Sequence, residues 1–146
     1  MKPGFEDAFS AIQTDMISVC LDYAKHAVDK VYIYGSFEEN TLSVDCFFAV
    51  GGSIRAKSKL PEGYDTSLDH QRSVLASLMQ NMEDLIAVCK EFEADMPTEI
   101  KLVYDAKINS VDARYQYDPV YSPLGLTAYE MSEQWLAEVG SVSNSA

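Results

Sequence analysis

The chain has 146 residues, 47% apolar and 23% charged, the composition of one globular domain with a full hydrophobic core. Its 23 acids against 11 bases leave a formal charge of -12. That sign repels phosphate backbones and anionic lipid, so nucleic-acid and membrane partners are disfavoured, and the charge serves either a basic partner or plain solubility.

Phe5 to about Ala27 is predicted helical, because Phe5, Phe9, Ile12, Met16, Val19, Cys20, Tyr23 and Ala27 step by three and four. Glu6 and Asp7 in its first turn, and Lys25 and His26 in its last, complement the helix dipole. Val31 to Tyr34 reads as a short strand, with Gly35, Ser36 and a Glu38-Glu39-Asn40 tip as the connection to the next. Thr41 to Val50 alternates: Leu42, Val44, Cys46, Phe48 and Val50 share one face, and Thr41, Ser43, Asp45, Phe47 and Ala49 the other. Gly51-Gly52 is a two-residue hairpin signal leading to a third strand, Ser53 to Lys59. Asp69 to about Ala94 is the strongest helical pattern, a continuous stripe that includes Val74, Leu75, Leu78, Met79, Met82, Leu85, Ile86 and Cys89, stopped by Pro97. Glu99 to Tyr104 and Val111 to Tyr117 form two more strands, the second ended by Asp118-Pro119. Leu126 to Val139 is a last helix carrying Tyr129, Met131, Trp135 and Leu136, with Trp135 expected in the core.

The order α-β-β-β-α-β-β-α, with hairpin connections between most strands, implies an α+β fold. It predicts a largely antiparallel five-stranded sheet whose helices cover one face and leave the other more open. One domain is expected over residues 1–140, with a small polar flexible tail at 141–146. The opening MKPGFEDAF lacks a basic and then apolar leader, and no apolar run reaches bilayer length, so a cytoplasmic location is expected. Cys20, Cys46 and Cys89 are odd in number, widely spaced and set among apolar residues, as reduced buried thiols are.

Chemical motifs are sparse. His26 and His70 are the only histidines, and neither has a partner at zinc spacing. There is no glycine-rich phosphate loop, so no catalytic residue, metal or cofactor is expected. Glu38 and Glu39 fall at a turn tip, where solvent would keep their acidity ordinary and unsuited to general acid–base work. Asp45 is anomalous, since Asp is disfavoured in strand interiors; Asp112 and Gln116 sit similarly on the fifth strand. On an open sheet face Asp45 and Asp112 would join Tyr32, Tyr34 and Phe47 in a wet aromatic-acidic patch. Rings there would anchor a protein partner and carboxylates would steer a basic one.

Tyr34-Gly-Ser-Phe-Glu-Glu39, Ser43-Val-Asp-Cys-Phe-Phe48, Gly51-Gly52, the helix from Asp69 to Ala94, Glu99-Ile-Lys-Leu-Val-Tyr-Asp105 and Tyr115-Gln-Tyr-Asp118 follow one another in a set order. In that order and spacing the chain resembles the YezG-like family of bacterial antitoxin and immunity proteins. The segment from Asp118 through the Trp135 helix departs from the pattern. The resemblance implies a small cytoplasmic α+β protein that binds and neutralises a cognate toxin domain, often a nuclease and so basic. On that reading Glu38, Glu39, Asp45 and Asp112 are the candidate contacts, with Tyr32, Tyr34 and Phe47 as anchors. The rival expectation is a small-molecule-binding or regulatory domain, with a pocket between the open sheet face and the C-terminal segment, near Tyr115, Tyr117, Tyr121 and Trp135.

Overall fold

The structure is a computed structural model that describes the backbone of residues 3–145 and side chains as far as residue 141. The element order is α1 (Phe5–Tyr23), β1 (Lys30–Glu38), β2 (Thr41–Val50), β3 (Ser53–Ala56), α2 (Leu68–Glu91), β4 (Glu99–Asp105), β5 (Ser110–Gln116) and α3 (Ala128–Ser145), with short 3-10 turns at Lys57–Lys59 and Ser122–Leu124. The five strands form one sheet in the order β3-β2-β1-β4-β5, antiparallel throughout. This is the expected α+β architecture.

Local chemistry sets the boundaries. Both β1–β2 and β2–β3 close through two residues at positive φ, Glu39-Asn40 at 51° and 61° and Gly51-Gly52 at 57° and 84°. Two-residue hairpins need that geometry so that the turn matches the strand twist. Helix α1 stops at Tyr23, before Lys25 and His26, which turn to positive φ. The His26 amide reaches back to the Leu21 carbonyl at 2.7 Å and the Lys25 amide to Asp22 at 3.2 Å. Helix α2 ends the same way, with Glu93 at φ 56° and the Ala94 amide donating to the Cys89 carbonyl at 2.8 Å. Both are six-to-one closures that satisfy orphan carbonyls. Thr127 and Glu130 cap α3 reciprocally: the Glu130 amide donates to the Thr127 hydroxyl, and Glu130 accepts from the Thr127 amide.

Three expectations change. Gly35 and Ser36 belong to β1, which runs on to Glu38. The glycine makes room for packing: a Cβ there would meet Sδ and Cε of Met82 at 2.9 Å, so the tip of this α2 side chain lies against bare backbone. The third strand ends at Ala56, and Lys57–Lys59 turn into a 3-10 helix. The helices also do not all lie on one face. Helices α1 and α2 bury Met16, Cys20, Leu78, Met82 and Leu85 against Val31, Ile33, Val44, Phe48, Ile100 and Leu102. Helix α3 crosses the opposite face, where Trp135, Met131, Leu136 and Val139 pack on Tyr32, Tyr34, Phe47 and Ala49. The tail expected from residue 141 begins inside α3, whose backbone continues to Ser145; Ala146 lies outside the described residues. Cys20, Cys46 and Cys89 are free and buried.

Gly35→Val is expected to destabilise the chain by about 1–3 kcal/mol through overpacking. Met82→Ala alone should also destabilise, and the double variant should lose less than the sum of the two, because the shortened side chain makes room for the valine. Urea unfolding of all four chains measures this coupling.

Candidate functional site

The face expected to be open is the one α3 covers. Tyr32 and Phe47 are cross-strand partners, their rings stacked at 4.7 Å and 8°. Trp135 stands edge-on to both, at 5.7 Å from Tyr32 and 5.1 Å from Phe47. Such offset and edge-to-face contacts use the ring quadrupole as well as area burial. Tyr32, Tyr34 and Phe47 are 5%, 1% and 2% exposed, so these predicted anchors are out of reach of a partner while α3 is seated. The Tyr34 hydroxyl donates to Glu99 at 2.6 Å, and burial together with that carboxylate pushes its pKa far above that of an ordinary phenol.

Glu38 is also displaced from its predicted role. It is not a solvated turn tip; it is buried. Its carboxylate accepts the Val120 amide at 2.9 Å, the Tyr121 amide at 3.2 Å, the Ser122 amide at 3.3 Å and the Ser122 hydroxyl at 2.9 Å. The sequence offered no sign of this pairing, because the partners lie more than eighty positions away and three of the four donors are backbone. Burial pushes the pKa of Glu38 up, and the four donors more than reverse it, leaving the group below its ordinary value of 4.5. A carboxylate so held is an ionised staple, fastening the β5–α3 connector to the end of β1.

The other predicted acids separate. Asp45 is half-buried, bonded to the Cys46 amide at 2.7 Å and paired with Lys57 at 2.9 Å. Asp112 is exposed and lies 3.3 Å from Arg114. Glu39 is exposed at the β1–β2 turn. Asp105 adds a longer contact to Lys30 at 4.0 Å. The sheet therefore neutralises much of its own charge.

The helices do not. Helix α1 carries Glu6, Asp7, Asp15 and Asp22 with no Lys or Arg; α3 carries Glu130, Glu133 and Glu138 with none; α2 sets Asp69, Glu83, Asp84 and Glu91 against Arg72 and Lys90. Among the described residues, no ion pair to Lys or Arg neutralises a helix carboxylate. The excess negative charge is thus concentrated on the helical surfaces.

A groove of about 510 Å³ runs between α2 and the β1–β2 hairpin, lined on the helix by Met79, Glu83, Ile86 and Lys90, on the hairpin by Phe37, Asn40 and Leu42, and closed by Asp95 and Met96. Met79 and Ile86 belong to the long apolar stripe of α2, yet both are only partly buried. A smaller depression of about 180 Å³ lies between α3 and strands β4 and β5, lined by Tyr32, Lys101, Val103, Asp112, Arg114 and Trp135. Among the described residues no group of three His, Cys, Asp or Glu side chains could hold a metal ion, and no helix is long and apolar enough to cross a membrane. No protein-family model matches the chain, and no curated protein matches it.

Glu38→Ala is expected to cost about 2 kcal/mol, the scale of charge-assisted hydrogen bonds removed from buried donors. Hydrogen exchange at Val120, Tyr121 and Ser122 should quicken while the α2 amides keep their protection. Because the folded Glu38 sits below its ordinary 4.5, its contribution is present above that pH and is lost as pH falls through the lower folded value. The wild type should therefore shed stability in acid more steeply than Glu38→Ala, which denaturation curves between neutral and strongly acidic pH would reveal.

Proposed function

We propose that this chain is an immunity protein: it binds a cognate toxin domain of basic surface and neutralises it by occupying that surface. The observation that carries the reading is the segregation of charge. The sheet acids lean on neighbouring bases or backbone donors, while carboxylates without a Lys or Arg partner cover α1, α2 and α3. An uncompensated field of one sign does little for folding and works against compactness, but it speeds encounter with a cation-rich partner. A nuclease domain is such a partner, since it must itself attract phosphate. The resemblance of Tyr34–Glu39, Ser43–Phe48 and Glu99–Asp105 to the YezG-like proteins points the same way.

Of the acids first chosen as contacts, Glu39 and Asp112 keep a place on the surface, and Asp45 a partial one. Glu38, Tyr32, Tyr34 and Phe47 serve the scaffold. The proposed epitope moves from the sheet acids to the helical surfaces.

The small-ligand alternative has one observation in its favour, the depression beneath α3 where Lys101 lies 5.4 Å over the Trp135 ring. Its 180 Å³ falls short of the roughly 300–1,000 Å³ typical of ligand pockets, and the Asp112–Arg114 pair occupies its polar rim. The protein-binding reading is therefore preferred.

Co-expression with the toxin domain encoded beside this chain's gene should restore growth and yield a one-to-one complex; no rescue and no co-purification would sink the proposal. Within a complex, replacing Asp15 and Asp84 by lysine should slow association by about tenfold at low salt and flatten its salt dependence. Asp112→Lys should change the rate much less, because Arg114 already offsets that charge. Stopped-flow association at two ionic strengths distinguishes the two sites.

A further inference from the structure

We infer that the groove between α2 and the β1–β2 hairpin is the seat of a cationic segment carrying an aliphatic anchor, presented by the partner. The inference rests on the immunity reading for the identity of that partner and deepens it by naming the surface and the chemistry it takes.

The groove has an apolar floor and an acidic rim. Phe37 and Leu42 face Met79 and Ile86 across it, with Met96 at the closed end. The volume of about 510 Å³ is large enough for an aliphatic side chain and the backbone around it. Methionine suits such a floor, because its unbranched thioether adapts to the shape that enters. At the rim, Glu83 and Asp95 outnumber Lys90. The C-terminal end of α2, which stops at Glu91 beside the groove, adds the negative pole of a helix of 24 residues. A second depression of about 360 Å³, lined by Phe5, Glu93, Ala94, Asp95 and Tyr117, adjoins the first through Ala94 and Asp95. Together they extend the site beyond one side chain, from the apolar floor of the groove to a more polar end lined by acids. Charge decides the occupant: an acidic peptide would meet the rim and the field of α1 and α2 at a penalty and a neutral one would gain nothing from them, whereas lysine or arginine flanking a leucine or isoleucine satisfies both layers.

The methionines provide the test. Met79 and Met96 line the groove, Met16 and Met82 are wholly buried between the helices and the sheet, and Met131 belongs to α3 and packs on the opposite face. The full chain carrying 13C-methyl methionine would be titrated with a short amphipathic peptide of leucine and lysine, with an all-lysine peptide, and with a leucine–glutamate peptide. Met79 and Met96 should shift with the first, far less with the second and not with the third, while Met16, Met82 and Met131 stay in place. Ile86→Lys, at a half-exposed position that leaves the core intact, should weaken binding by about tenfold or more, as loss of one buried aliphatic contact implies. Equal shifts at Met131, equal response to all-lysine peptide, or indifference to Ile86→Lys would overturn the assignment. In cells the two claims separate. Ile86→Lys that still protects as wild type does overturns the groove and leaves the immunity role standing; peptide binding in the groove without any protection does the reverse.

Discussion

Strand β1 is covered on both faces and paired on both edges, and the rest of the molecule is arranged around that condition. Its edges are taken by β2 and β4. On one face Val31 and Ile33 join the core under α1 and α2, and Gly35 brings α2 within touching distance of the backbone. On the other, Tyr32 and Tyr34 lie beneath Trp135, and Glu38 takes hold of the connector that delivers α3. Two hydrophobic layers thus share a single strand. Removing either would leave half of β1's side chains in water, so α3 is an integral part of the fold.

Burial on that second face also dictates where the charge goes. Glu38, Glu99 and Asp45 all project onto it, and a carboxylate withdrawn from water needs donors or a counterion to compensate its lost hydration. Backbone amides answer Glu38, the Tyr34 hydroxyl and Lys101 answer Glu99, and Lys57 answers Asp45. Bases are scarce in this chain, 11 against 23 acids, and two of them, Lys57 and Lys101, are held in this way. The helices are left with acids and few cations, and the field of the molecule is theirs. Electrostatic asymmetry on the outside is a consequence of polar satisfaction on the inside.

The same geometry accounts for the groove. A stripe as wide as that of α2 cannot be covered by a twisted sheet along its whole length. At the end of the sheet that carries the β1–β2 turn, Met79 and Ile86 are left half-covered and line a groove with Phe37 and Leu42. The amphipathic pattern is complete in the sequence; only the spatial relation of helix and hairpin leaves part of it unfilled.

Elements whose signals are periodic and local were legible in advance. The alternation from Leu42 to Val50, the stripe of α2, the Gly51-Gly52 turn and the order of helices and strands follow from spacing alone, since a side chain's direction within a helix or strand depends on its own backbone. What depends on long-range approach was not legible. Gly35 looks like a turn residue until Met82 is seen against it, Glu38 looks solvated until residues 120–122 arrive to donate, and Tyr32 and Phe47 look like an open patch until Trp135 lies across them. Each of these was decided by a partner between 47 and more than 100 positions away, or by backbone groups that carry no residue-specific signal. Spacing and composition were enough for the kinds of element, their order and the sign of the surface field. Long-range packing settled which acids are internal staples and which stay on the surface, because burial and hydrogen bonding are properties of what comes to lie against a residue and not of the residue.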